Sequence, residues 1–462
     1  MNGLENSQDS LLYCDCLKGR VKDITAVVLA AGPSLDTFLP WVKAHQRDLL
    51  VVAVSRVCAY LKNQGITPDI MIHTDPNDYS VGVGKGIFHF PESLFAYTFC
   101  AHPSLVTQWP GMKVLLDKAS IMGQVFPDAV NIHEFGSTVS NMAISLASYM
   151  GASRVVLLGI DLCNGVDGMR HAKGVTEAYY PIISRNLIKV ETNRGGYAYS
   201  TTDYVQAANE LEMQAQSLKC SGVTLVNPSP EAVKLAHVEY CPIEHIEIPG
   251  LERDVVETIR SACAGRDPIG FQRRLKGSVE KMLQELTRLE ARVQSVLEFI
   301  RQLGIGGSKL SANVRQEMVT LLNETQGSES FRLALRISWQ EIFAALKRIQ
   351  EGVADERAKL NCQRDYLRSY LSASARFRDL LTGTLERVHC RQKELNGYQD
   401  IGSILDQWDK DEQPGRSLMI QEQVLESGDI GQPHLGRIQE MRRKFKAFLQ
   451  EDQSAKSSGG NH

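Results

Sequence analysis

The sequence predicts an α/β protein: a parallel sheet with helices on both faces, followed by an all-α helical region. Three observations carry this. Between residues 24 and 248, short β-rich runs alternate with helical ones, the pattern of repeated strand–helix units. Runs such as Val27-Val28-Leu29 show no apolar–polar alternation, as expected of strands covered on both faces. After about residue 251, glycine and β-branched residues thin out and long charged amphipathic segments take over.

Taken in order, residues 1–22 read as a loose lead-in. Residues 23–250 form the α/β region, with candidate strands at 24–29, 49–54, 70–74, 94–99, 114–116, 155–159 and 223–226. Candidate helices lie at 35–45, 56–64, 138–149 and 204–219. Residues 251–450 form the helical region. There Leu275, Val279, Met282, Leu286, Leu289, Val293, Val296, Ile300 and Leu303 recur at spacings of 4 and 3, a heptad seam. A second long helix is expected over 331–394 with a break near Asn361. Ile342, Leu346, Ile349 and Val353 mark one face, and Tyr366, Tyr370, Phe377, Leu381, Leu385 and Val388 continue an apolar stripe. Such faces either close a bundle on itself or grip a partner or a second copy. A further helix is expected over 435–449, and 451–462 reads as a disordered tail.

Composition narrows the function classes. At 43% hydrophobic and 23% charged the chain is an ordinary globular protein. A net charge of −3 argues against a general nucleic-acid binder. No run approaches the roughly 18 apolar residues of a membrane span. The first ten residues are polar and acidic rather than a signal peptide, so a cytoplasmic protein is expected. The ten cysteines are scattered. Cys58, Cys100 and Cys220 sit in apolar settings and read as small buried hydrophobes. Cys14-Asp15-Cys16 is a weak zinc signal without a second pair. No Walker A, HExxH or paired CxxC pattern is present.

Ligands of parallel sheets bind beyond the strands' carboxyl ends, and polar and small residues gather at those positions. Gly32-Pro33-Ser34 follows the first strand, Ser55-Arg56 the second, and His73-Thr74-Asp75 the third. Gly136-Ser137-Thr138 opens a helix. Gly159-Ile160-Asp161 ends a later strand, before a Gly-rich loop and Arg170-His171-Ala172-Lys173. A strand feeding a helix start offers free amides and a favourable dipole to an anion.

Several of these motifs together resemble the motility-associated factor (Maf) family. They are Leu17-Lys18-Gly19-Arg20 leading to Ala31-Gly32-Pro33-Ser34-Leu35-Asp36, then Gly65-Ile66-Thr67-Pro68-Asp69 before Thr74-Asp75-Pro76. Gly159-Ile160-Asp161-Leu162 with His171-Ala172, and Tyr199-Ser200-Thr201-Thr202 with Val226-Asn227-Pro228-Ser229, complete the set over residues 15–245. The resemblance implies a Rossmann-like, sialyltransferase-like fold. It also implies transfer of a nonulosonic acid, pseudaminic or legionaminic, from a CMP-sugar to Ser or Thr of flagellin or another surface protein. The helical region would dock that acceptor, and a homodimer stays open. A related MptE-like branch resembles the archaeal 6-hydroxymethylpterin diphosphokinases, which use ATP and Mg²⁺, so that alternative stays open too, as does a non-enzymatic interaction protein. The chain departs from the family in Ala30-Ala31-Gly32 for Gly-x-Gly, in Ile160 for Gln, and in beginning almost at the core.

On this resemblance the roles divide as follows. Gly32, Pro33 and Ser34 frame the nucleotide or phosphate turn through the amides of Gly32 and Ser34, with Gly159 beside them; an ordinary β–α turn is the alternative. Ser55 and Thr74 contact ribose or base. Gly136, Ser137 and Thr138 form a second amide nest or simply cap a helix. Asp75 and Asp161 orient a sugar hydroxyl or act as general base; in the kinase reading they hold Mg²⁺, and as loop caps they do neither. His171 moves a proton, with Arg170 and Lys173 offsetting leaving-phosphate charge, unless it is a plain loop histidine. His73 and His102 are weaker candidates. No metal ligand is assigned in the transferase reading, and the CMP-sugar is a substrate rather than a cofactor.

Overall fold

The computed structural model of the chain describes residues 2–117, 136–165, 168–175, 187–249, 254–264, 267–302, 312–328, 356–421 and 430–450, with isolated positions 132, 344, 347, 349, 424 and 425. Strands β1 (Thr25–Leu29), β2 (Leu50–Val54), β3 (Ile70–His73), β4 (Leu94–Tyr97), β5 (Lys113–Leu115), β6 (Arg154–Leu158), β9 (Thr224–Asn227) and β10 (Val238–Tyr240) form one sheet. Its order is β10-β9-β6-β1-β2-β3-β4-β5, and every pair is parallel. Between β6 and β9, β7 (Ile188–Glu191) and β8 (Tyr197–Ser200) make a separate antiparallel hairpin.

The continuous apolar runs behave as their composition dictates. All five residues of β1 and all five of β2 are buried. Val27 sits between Val51 and Val156 in the two neighbouring strands. The chain leaves β1 in one direction as far as β5, then returns at β6 on the other side of β1. Strand order therefore reverses between β1 and β6, and the crevice at their carboxyl ends is where such sheets bind ligands.

Helices α1 (Leu35–His45), α2 (Cys58–Gln64), α3 (Val139–Met150) and α4 (Thr202–Cys220) accompany the sheet. Each strand and helix expected from sequence between residues 24 and 248 is present within about two residues at its ends. Two elements escaped the sequence pattern. The hairpin is mostly exposed and β10 is three residues long, so neither carries a buried apolar run.

The lead-in is not loose. Leu4, Cys14, Cys16 and Leu17 are buried, as are Asn6 to Ser10. Tyr13 bridges in parallel to Leu115, extending the sheet's edge. These contacts join residues a hundred or more positions apart, which no local pattern registers. Cys58 is buried as expected, but Cys100 and Cys220 are exposed, so apolar flanks misjudged both.

The helical region contains α5 (Val255–Cys263), α6 (Pro268–Gln302), α7 (Ala312–Gly327), α8 (Glu356–Leu395), α9 (Ile401–Lys410) and α10 (Gln432–Gln450). The heptad seam is buried at Leu275, Val279, Met282, Leu286, Leu289, Val293 and Ile300, and α6 packs along α8. Helix α8 buries Tyr366, Tyr370, Phe377, Leu381 and Val388. It continues through Asn361 without the expected break, since an asparagine in a helix costs only a fraction of about 1 kcal/mol. Ile349 packs against the cluster built on Leu289, Val293 and Tyr366. Leu303, most of 331–355 (including Ile342, Leu346 and Val353) and 451–462 lie outside the described residues.

A buried charge cluster ties the two regions together. Asp9 meets Lys113 Nζ at 3.3 Å, Arg391 Nε at 3.1 Å and Arg416 Nη1 at 3.3 Å. Glu394 accepts from Arg391, from Arg416 at 2.9 Å and from the Trp408 indole at 2.8 Å. Arg416, only 2% exposed, also donates to the Thr107 carbonyl. Charges this deep persist only because they are paired. Among the described residues, no helix is long and apolar enough to cross a membrane.

Candidate active site

A cleft of about 240 Å³ opens at the β1/β6 switch point. This is near the lower end of ligand pockets, roughly 300–1,000 Å³. The turn after β1 contributes Ala30 to Pro33, and the end of β2 contributes Val54, Ser55 and Arg56. Asp75 follows β3, and Gly159 to Cys163 follow β6. The start of α3, then Arg170 and His171, then Tyr204, Ala207 and Leu211 of α4 close the remaining sides.

Small residues let the two central strands approach. The Gly32 amide donates to the Gly159 carbonyl at 2.8 Å. A Cβ on Gly32 would lie 2.5 Å from Asp161 Oδ2 and 2.6 Å from Gly159 O. Gly159 has φ +69°, and a Cβ there would meet Ala30 O at 2.2 Å. Only glycine fits at either position.

The same packing changes what the first turn can do. The Ser34 amide donates to Asp161 Oδ2 at 2.9 Å. Both amides expected to cradle a phosphate, those of Gly32 and Ser34, are therefore already taken within the protein. Ser34 flanks α1 with helical backbone angles, and its side chain makes no cap. A phosphate at this turn would have to meet side chains instead.

Two cationic side chains, Arg56 and Arg170, line the cleft. Arg170 lies over the Tyr204 ring at 4.3 Å and donates to Asp203 Oδ2 at 3.0 Å, but its buried Nε has no partner. Arg56 lies over the Tyr79 ring at 5.9 Å. His171 is held neutral: burial, then the charges of Arg56 and Arg170, push it down to about 4. Its buried Nδ1 has no partner. Asp161 is buried, and burial raises its carboxyl above the ordinary range against the opposing Ser34 hydrogen bonds. Its Oδ1 also has no partner. Unsatisfied buried polar atoms are uncommon, and three of those among the described residues gather around this cleft. Asp75 is exposed as a residue, but partial desolvation of its carboxyl on the cleft side raises its pKa, and the Arg56 charge opposes this.

Gly32, Pro33, Ser55, Asp75, Thr138, Gly159, Asp161, Arg170 and His171 thus come together as expected from sequence. Ser34 stands just behind, through its amide. Gly136, Ser137, Thr74 and Lys173 do not line the cleft. Glu210 Oε2 accepts from both the amide and the hydroxyl of Ser137, at 2.7 and 2.8 Å, so an acid fills the expected second nest. Thr138 caps α3, its hydroxyl accepting from the Asn141 amide at 3.2 Å. The Thr74 carbonyl accepts from Thr98 Oγ1, and exposed Lys173 donates only its amide, to Asp36. His102 caps the short helix after it and pairs with Asp78. Arg56 and Tyr204 were given no role by sequence reasoning. Arg56 stood beside Ser55 at a strand end, which was a usable signal; Tyr204, in the first turn of a long helix, offered none. Among the described residues no group of three His, Cys, Asp or Glu converges as a metal set.

No curated protein matches the chain. The MAf glycosyltransferase from Magnetospirillum magneticum AMB-1 is a solved structure 14% identical to it, with a TM-score of 0.49. The alignment covers 88% of this chain and 63% of that protein, so this chain spans less than two thirds of its length. The family model described as "6-hydroxymethylpterin diphosphokinase MptE-like" matches residues 2–167. Those residues, which supply β1–β6 and the Gly32, Ser55 and Asp161 walls of the cleft, are the part of the chain similar to that family.

Proposed function

We propose that the chain is a cytoplasmic transferase that moves a nonulosonic acid from a CMP-activated donor to a serine or threonine hydroxyl of a protein such as flagellin. The observation that carries this is the cleft's set of unpartnered groups: Arg170 Nε, His171 Nδ1 and Asp161 Oδ1. The motif resemblance supplies the identity of the sugar and acceptor. Arg56 and Arg170 suit the donor phosphate, since guanidinium–phosphate bonds are charge-assisted. The acceptor oxygen bonds to the anomeric carbon as that carbon's bond to the phosphate oxygen breaks, and CMP leaves. Neutral His171 takes the hydroxyl proton at Nδ1, and the departing phosphate beside it offsets the resulting charge. Asp161 Oδ1 accepts from a sugar hydroxyl, and Asp75 faces the oxocarbenium-like centre. The packed face of α6 and α8 closes the helical region on itself, and its outer surface presents the acceptor.

The family description favours a second reading, an ATP- and Mg²⁺-dependent diphosphokinase. There Asp75 and Asp161 would hold the cation through Asp161 Oδ1, since Oδ2 is committed to Ser34. Calorimetric titration separates the two. Metal-free binding of CMP that is lost in Arg170→Met supports the sugar transferase; binding of ATP only with Mg²⁺ supports the kinase, and binding of neither overturns both.

A further inference from the structure

Behind the cleft wall lies a histidine that the proposed reaction does not use. His73 ends β3 and is 1% exposed. Its Nδ1 is 2.8 Å from Ser55 Oγ, and its Nε2 is 3.1 Å from the Asp75 carbonyl oxygen. A carbonyl only accepts, so Nε2 carries the proton. The one hydroxyl near Nε2, Ser80 Oγ, is 3.4 Å away and sits 2.6 Å from the Asn77 carbonyl. Its proton goes there, and it cannot rescue the other tautomer. Burial keeps the ring neutral, pushing it down to about 4. Nδ1 is then an acceptor, and Ser55 donates to it the only proton a serine hydroxyl has. Gly84 makes room for the ring, since a Cβ there would stand 3.3 Å from both Cε1 and Nδ1. Ser55 also lines the cleft, and toward the ligand it can present only lone pairs.

We infer that Ser55 is an acceptor-only recognition point, fixed as such by His73, and that the nucleotide in this cleft presents a hydrogen-bond donor to it, either a ribose hydroxyl or a base amine. This rests on the nucleotide reading above. A site built around a buried acceptor rejects analogues lacking the matching donor, because the acceptor is left unpaired. His73 is a positioning residue: it touches no ligand and acts through the direction of the Ser55 proton.

The experiment titrates the protein with CMP, 2′-deoxy-CMP, 3′-deoxy-CMP and UMP, and reads the His73 tautomer at pH 7 from imidazole ¹⁵N shifts. One analogue should bind about ten-fold or more weaker than CMP. Loss with a deoxy analogue assigns the ribose, and loss with UMP assigns the base amine. In Ser55→Ala that ratio falls to near one. In His73→Phe, which frees the hydroxyl to donate, the ratio also relaxes, whereas a merely structural role would weaken all four ligands alike. If His73→Phe does not fold, the wild-type ratios and tautomer still decide. CMP binding with equal affinity for every analogue, or an Nδ1-protonated His73, overturns this inference alone. Failure of CMP to bind overturns the CMP-donor reading and this ligand with it.

Discussion

Replacing Gly32 with alanine tests the central claim about how β1 and β6 form the cleft. The added Cβ would stand 2.5 Å from Asp161 Oδ2 and 2.6 Å from the Gly159 carbonyl oxygen, where ordinary contacts begin near 3.4 Å. Gly159 is backbone and cannot rotate away, so the two strand ends must part by several tenths of an ångström. That movement stretches the 2.8 Å bond from Gly32 to Gly159 and the 2.9 Å bond from Ser34 to Asp161. Overpacking of this kind costs about 1–3 kcal/mol, and a weakened bond to a carboxylate about 1.5–3 kcal/mol. One displacement causes both, so they do not add, and a loss of about 2–4 kcal/mol is expected. Gly277→Ala is the control. It lies exposed within α6 with nothing near its Cβ position, and alanine there should stabilise by roughly 0.5–1 kcal/mol. The assay is the urea midpoint by circular dichroism for both variants, with CMP titration alongside. A Gly32→Ala protein with an unchanged midpoint and unchanged binding would refute the packing argument and the cleft built on it.

Further outcomes follow from the same structure. Arg56→Met removes one of the two cations that depress His171, so an NMR titration should find that imidazole above its wild-type value of about 4; an unchanged value refutes the proximity. Arg416→Ala strips a donor from Asp9, Glu394 and Thr107 and should cost about 3–5 kcal/mol, read as a lowered melting temperature; a cost below about 1 kcal/mol would mean the cluster is not a fastening. The pH dependence of stability has two opposed parts. His73 and His171 are both lowered to about 4, so the unfolded chain binds more protons between pH 6.5 and 4, and stability falls as pH falls through that window. Asp69, which accepts from the Val51 amide at 2.7 Å, is raised by burial to about 7. Its contribution is full below about 3.8 and is lost as pH rises through 7, the opposite slope. Asp69→Asn should therefore expose the histidine slope, up to about 3 kcal/mol per histidine, in denaturant melts at stepped pH; equal slopes in wild type and variant would contradict it.

What was legible in the sequence and what was not divide along a physical line. Buried parallel strands announce themselves, because covering both faces demands unbroken apolar runs such as Leu50 to Val54. The cleft's address was legible for the same reason: polar residues just after those runs have nowhere to go but the carboxyl edge. The pairing of β6 with β1 was not legible, since strand order depends on contacts across more than a hundred residues. That pairing is what commits the Gly32 and Ser34 amides to Gly159 and Asp161 and turns an expected backbone cradle into a pair of strand-end locks. It also explains the weight that falls on Arg56. Once the amides are occupied, guanidinium groups are the positive charge left facing the cleft, and Arg56 and Arg170 add to the burial that holds His171 neutral. A cleft with fixed amides would bind an anion whether or not His171 was charged. In the proposed reaction a cleft built on arginines links the two, because an arriving phosphate screens the charges that add to burial in keeping His171 deprotonated. On this view donor binding and readiness of the base to accept a proton are one electrostatic event.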